Sequence, residues 1–134
     1  MVKTSLVEND IEEARVLVNA LNSIDSPFLV QSAFWLYQPD SMEWRLVLAT
    51  PLVDRRGPLS TYRDVQRVLQ NLAKPVSLSL QDISVVSPND KRVKVIKKAI
   101  RVPRGSLGVR LGSARVDDTY IEDAYVYPVV NRAA

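Results

Sequence analysis

The chain contains neither histidine nor cysteine. The first absence excludes a Ser-His-Asp triad, imidazole acid–base catalysis and His-ligated zinc. The second excludes a thiol nucleophile, a disulfide framework and cysteine-held metal or iron–sulfur centres. Glycine occurs only four times. With neither G-x-x-x-x-G-K-[ST] nor G-x-G-x-x-G present, there is no glycine-rich phosphate cradle. The longest apolar-rich stretches, 14–21, 28–37 and 46–53, fall short of the ~20 residues that a membrane-crossing helix needs. The first residues run into Glu8, Asp10, Glu12 and Glu13, not into a basic and then apolar stretch, so no secretory signal is expected. A cysteine-free chain suits a reducing compartment, and a cytoplasmic protein is the expectation. What remains is carboxylate, Lys, Tyr, Ser and Thr chemistry. No convincing constellation of those groups stands out, so no catalytic residue, metal ligand or cofactor is assigned.

What is present is the composition of one ordinary domain: 134 residues, 46% of them apolar and 25% charged. A chain of this length can bury roughly two-thirds of its unfolded surface, so it needs no metal or disulfide to hold a core. No linker, internal repeat or low-complexity segment divides residues 1–134.

Hydrophobic periodicity predicts the elements. Ile11, Ala14, Leu17, Val18 and Leu21 recur at helical spacing within 5–22, with Asn9/Glu12 or Ser5/Glu8 as a capping box. Ser26-Pro27 ends that unit. Residues 28–37 and 44–50 read as an antiparallel hairpin across Gln38-Pro39-Asp40-Ser41. Both parities of each strand are apolar, which predicts a hairpin near the sheet centre with both faces covered. After a loop at 51–57, a helix over 58–72 carries Tyr62, Val65, Val68, Leu69 and Leu72 on its buried stripe, with proline at its first position. Residues 76–86 read as one bent strand or two short ones. Ser87-Pro88-Asn89-Asp90 is a helix start with Ser87 as cap, and the helix runs to about 101. A final irregular hairpin spans 109–117 and 121–130, with Asp118-Thr119 in the turn and a bulge at Gly112. Arg132–Ala134 should fray. The expected fold is a single α+β domain with a mainly antiparallel sheet of about five strands and three helices, ordered α-β-β-α-β-α-β-β.

Charge is concentrated. Residues 91–104 hold seven bases and no acid, against 11 bases and 15 acids elsewhere, so the net +3 comes from this one segment. On a helix, Lys91, Lys94, Lys97, Lys98 and Arg101 share an arc of about 120°. Val93, Ile96 and Ile100 lie opposite, and Arg92 interrupts the apolar side. Such a stripe docks an acidic protein, binds nucleic-acid phosphates or is simply a solvated face. No aromatic residue is interleaved with the bases, which weighs against nucleic acid. The apolar side lacks Trp and Phe, which weighs against a membrane surface.

A smaller basic feature is Asp54-Arg55-Arg56-Gly57-Pro58 at a predicted helix start. There Arg55 and Arg56, with Ser60 or Thr61, form a candidate anion site for a phosphate or carboxylate. The acids Asp117, Asp118, Glu122 and Asp123 flank a hairpin turn, where solvated carboxylates are ordinary, and no metal is assigned to them. Pro39-Asp40 with Glu43-Trp44-Arg45 is too tightly spaced for a metal-dependent nuclease. Trp35, Tyr37, Trp44, Tyr120, Tyr125 and Tyr127 are core residues or, if exposed together, an interface.

The stretches Phe34-Trp-Leu-Tyr, Trp44-Arg-Leu-Val-Leu-Ala-Thr-Pro-Leu-Val-Asp, Asp82-Ile-Ser-Val-Val-Ser-Pro and Ile121-Glu-Asp-Ala-Tyr-Val-Tyr resemble a small stand-alone bacterial protein family of unassigned function. The resemblance covers most of the chain and implies a bacterial cytoplasmic protein. It carries no catalytic or binding role onto any residue. The leading expectation is a non-catalytic protein-interaction or accessory module, self-association included. The alternatives are a nucleic-acid-binding protein using the basic helix, and a phosphate-ester or nucleotide-binding enzyme with its anion site at 54–58.

Overall fold

The computed structural model describes residues 3–23 and 28–129. They form an α+β unit of four helices and a five-stranded, mostly antiparallel sheet: α1 (Glu8–Leu21), β1 (Ser32–Gln38), β2 (Glu43–Ala49), α2 (Leu52–Arg56), α3 (Pro58–Gln70), β3 (Ile83–Val86), α4 (Lys91–Ala99), β4 (Val109–Val116) and β5 (Thr119–Val126). The strand order is β3-β2-β1-β5-β4. The β1–β2 hairpin is interior, as its doubly apolar strands require.

Residue parity sorts the core into two layers. Ala33, Trp35, Trp44, Leu46, Leu48, Ile83 and Val85 project to one face and pack with Ile11, Ala14, Leu17 and Leu21 of α1 and Val65 of α3. Phe34, Val47, Ala49 and Val126 project to the other and meet Val93, Val95 and Ile96 of α4. Trp35, Trp44 and Tyr127 are buried, so these aromatics are core. Trp35 Nε1 donates to the Tyr127 hydroxyl at 3.0 Å, which in turn donates to the Ile11 carbonyl at 2.8 Å. Burial holds the Tyr127 phenol protonated well above its ordinary range. Tyr120 is exposed.

Several boundaries differ from the sequence expectation. The first helix starts at Glu8, because the Asp10 carboxylate turns back to accept from Val7 N–H at 2.9 Å and from Lys3 Nζ at 2.8 Å. Neither Ser5 nor Asn9 caps it. The expected loop at 51–57 contains α2, since Thr50 Oγ1 accepts from Leu52 N–H. Gly57, at φ 82°, then lets α2 and α3 abut without a linker. Only 83–86 of the expected 76–86 strand region pairs. Ser77 N–H and Oγ are bound by the Glu13 carboxylate of α1, and Asp82 caps Ser79 N–H in a short 3-10 turn. Leu78 still reaches the core without any strand.

The β3 segment runs parallel to β2, with Leu46 opposite Ile83 and Leu48 opposite Val85. Arg45 clips the pair, donating to Ser84 Oγ and to the carbonyls of Gln81 and Ile83 at 2.8–2.9 Å. On the outer edge of β3, the Tyr62 hydroxyl accepts from Val85 N–H. This blunts an otherwise open edge.

The β4–β5 hairpin turns at Asp117-Asp118, one residue earlier than expected. Its irregularity lies at Ser113, at φ 41°, next to Gly112. Register is unchanged on either side, so no residue is inserted. Leu111 and Ala114, three residues apart, nevertheless pack against the same cluster, as do Ile121 and Ala124. Both strands therefore switch face at this point. The Ser26-Pro27 break, Val130 at the expected end of the last strand and the Arg132–Ala134 tail lie outside the described residues. Among the described residues, no helix is long and apolar enough to cross a membrane.

Candidate functional site

The basic segment folds as α4, but its start is set by Asp90 rather than Ser87. Asp90 Oδ1 accepts from Arg92 N–H at 2.9 Å and from the Arg92 guanidinium at 3.1 Å. Burial pushes the Asp90 carboxyl up. The Arg92 side-chain and backbone hydrogen bonds, with its charge, outweigh that and hold the group below the usual carboxylate range. Ser87 instead donates to Asp54 Oδ2 and accepts from Asn89 N–H. Arg92, which interrupts the apolar side in sequence, is thereby folded into the cap.

Val93, Val95 and Ile96 are buried against β1, β2 and β5, while Lys91, Lys94, Lys97 and Lys98 stand exposed on the opposite side. The amphipathic reading of this helix is therefore met. One member of the arc falls off it. The helix ends at Ala99, because Ile100 is extended at φ −154°, so Arg101 lies beyond the last turn and not on the helical stripe. Arg101 and Arg104 are exposed on the segment that follows. Lys97 and Lys98 in the last turn complement the negative end of the helix dipole.

The stripe is not uniformly free. Lys98 Nζ reaches Asp117 Oδ2 at 3.1 Å, and Lys91 Nζ lies 4.0 Å from Asp118 Oδ1. The two aspartates are the hairpin turn between β4 and β5, and Asp117 sits at φ 55°. All four side chains are well exposed, so each pair contributes at most about 1 kcal/mol. Its effect is on the field: one flank of the stripe carries its own carboxylates. Lys94, Lys97, Arg101 and Arg104 have no acid within ion-pair distance among the described residues. Chain-distant pairing of this kind has no sequence signal, because residues 117–118 meet 91 and 98 only through the sheet.

The other basic feature is divided. Arg55 and Arg56 lie at the end of α2, not in a loop. Arg56 reaches Asp64 Oδ2 of α3 at 3.0 Å, off the line of a hydrogen bond, and Arg67 reaches Asp64 Oδ1 at 3.2 Å. Thr61 is buried and donates to the Gly57 carbonyl at 2.8 Å, so its hydroxyl is not offered outward. Both arginines are exposed, and of the two only Arg55 has no acid partner among the described residues. The acids of the last hairpin are likewise distributed. Asp117 and Asp118 face lysines, and Asp123 holds Arg110 through two bonds of 2.8 Å. Among the described residues, no group of three or more acids converges as a metal site.

No family model matches the chain, and no curated protein or solved structure matches it.

Proposed function

We propose that this protein is a non-catalytic interaction module that docks an acidic protein segment through the exposed side of α4. The observation that carries this reading is the set of cations Lys94, Lys97 and Arg101, which stand outward with no acid partner among the described residues while Val93, Val95 and Ile96 of the same segment anchor it in the core. A charged face on a fixed element steers an oppositely charged partner and sets its register.

A protein partner fits better than nucleic acid for two reasons. The helix has nine residues, about 13 Å at 1.5 Å per residue, and so spans few phosphates. Asp117 and Asp118 also flank it, and a continuous track of phosphates would run against both carboxylates. Discrete carboxylates on a protein avoid that conflict, and repulsion of the wrong ligand is itself a source of specificity. A cysteine-free chain suits a reducing compartment, and we set this encounter in the cytoplasm.

The test is fluorescence anisotropy with a labelled Glu-rich peptide and a labelled short DNA duplex, at ~50 and ~200 mM salt. The expected result is saturable peptide binding that weakens with salt and is lost in Lys94→Glu/Lys97→Glu, with the duplex bound more weakly. Peptide binding unchanged by the double variant, or duplex binding tighter than peptide, overturns the reading.

A further inference from the structure

Just past the free cations, the end of α4 leaves an opening. A slot of about 170 Å³ lies between the C-terminal end of the helix, the entry to β1 and the exit of β5. Ile96, Ile100, Val102, Val126 and Val129 make its aliphatic side, the polar Gln31 and Ser32 line it at the entry to β1, and Lys97 stands at its rim. Ile96 and Val126 are buried, while Ile100, Val102 and Val129 are partly covered. The slot exists because Ile100 leaves the helix in an extended conformation, so the chain departs before it can cover the sheet end.

The slot is smaller than the roughly 300–1,000 Å³ of most small-molecule sites, which disfavours a cofactor. It has room for one branched aliphatic side chain. Its surroundings select what carries that side chain. Lys97 is at the rim, Lys94 is one turn back and Arg101 follows Ile100 directly, and none of the three has an acid partner among the described residues.

We infer that the partner of α4 is an acidic segment that seats a single aliphatic anchor, such as leucine or isoleucine, in the slot beside Lys97, with its carboxylates on Lys94, Lys97 and Arg101. This rests on the docking reading above and specifies its ligand. Charge would steer the encounter, and burial of the anchor would slow escape, which is how most interface affinity is set.

Two labelled peptides test this. One is Glu-rich with a single central leucine, and the other has serine at that position. The leucine peptide should bind about tenfold more tightly, as expected for burying one aliphatic side chain. Val102→Phe, which fills the slot, should erase the preference between the two peptides. Methyl NMR on the unaltered protein provides a second readout that does not depend on the variant folding. The Ile96, Ile100 and Val126 methyl signals should shift with the leucine peptide and stay in place with the serine peptide. Equal binding of the two peptides, with both lost in Lys94→Glu/Lys97→Glu, overturns the anchor and leaves the docking reading standing. Failure of both peptides to bind overturns both. A duplex DNA that displaces the leucine peptide at lower concentration overturns the choice of a protein partner. A concentration-dependent dimer by light scattering, with those methyls shifting on self-association alone, assigns the slot to a second copy and overturns the acidic segment.

Discussion

The two faces of the sheet are covered in opposite ways. On one, the long helices α1 and α3 lie over a core containing Phe28, Trp35 and Trp44. Several polar groups at α1 also find partners at home. Glu13 binds Ser77, Asn22 brackets the Val30 backbone, and Arg15 reaches the Leu107 carbonyl and the Tyr125 hydroxyl. On the other, a single nine-residue helix rests on three buried aliphatic side chains, and its outer side carries Lys94 and Lys97, which have no ion-pair partner among the described residues. A helix that short does not hold in water without tertiary support. The first face thus meets several of its polar groups within the molecule, whereas the second holds Lys94 and Lys97 outward. That contrast is the reason for reading function from α4.

The widest gap between the faces should appear on truncating the core. Trp35→Ala should cost about 3–5 kcal/mol in urea unfolding. Ile96→Ala should cost about 2–4 kcal/mol, with faster amide exchange concentrated in α4. Equal exchange acceleration over both faces would show that α4 is no separate layer.

The next effect concerns the buried hydroxyl. Tyr127→Phe removes the hydroxyl that donates to the Ile11 carbonyl and leaves Trp35 Nε1 without its acceptor, a loss of about 1–3 kcal/mol. Because burial raises the phenol's folded pKa, its contribution is full below the ordinary value near 10 and is lost as pH rises through the higher folded one. The unaltered protein should therefore weaken in alkali, and the variant should show a flatter alkaline limb.

Asp90→Ala should cost about 1 kcal/mol and loosen α4 more than α1 or α3. Here the folded pKa is lowered, so the sign reverses. The contribution is present above the ordinary carboxylate value near 3.9 and is lost as pH falls through the lower folded one. The gap between protein and variant should close in acid.

The smallest change in stability is expected from Asp117→Asn/Asp118→Asn, within about 1 kcal/mol. The same variant should bind an acidic peptide more tightly at ~50 mM salt, an effect that fades at ~200 mM because the groups are exposed. Unchanged affinity at low salt would mean that the turn does not modulate the stripe.

Much of this architecture was legible in the sequence because it follows from local pattern. The doubly apolar strands around Trp35 and Leu46 announced an interior hairpin. The spacing of Val93 and Ile96 against Lys91, Lys94, Lys97 and Lys98 announced which side of α4 would be buried. What escaped depends on meetings between distant residues. Glu13 takes the Ser77 amide and so dissolves a strand that alternation alone predicts. Arg45 fixes the parallel strand through Ser84 and two carbonyls. Asp64 takes Arg56 away from the expected anion site. Asp117 and Asp118 reach the lysines only because the hairpin carries them there. The loss of Arg101 from the helical arc is different in kind: Pro103 restricts only Val102, so it left a helix to Arg101 open and gave no sign of the earlier turn outward at Ile100.

The most direct measurement is amide chemical-shift mapping of the full chain titrated with the Glu-rich, leucine-bearing peptide at low salt. The expected shifts are confined to residues 91–104 and to the neighbouring ends of β1 and β5, with residues of α1 and α3 unmoved. Shifts centred on α3, or none at peptide concentrations that saturate anisotropy, would contradict it.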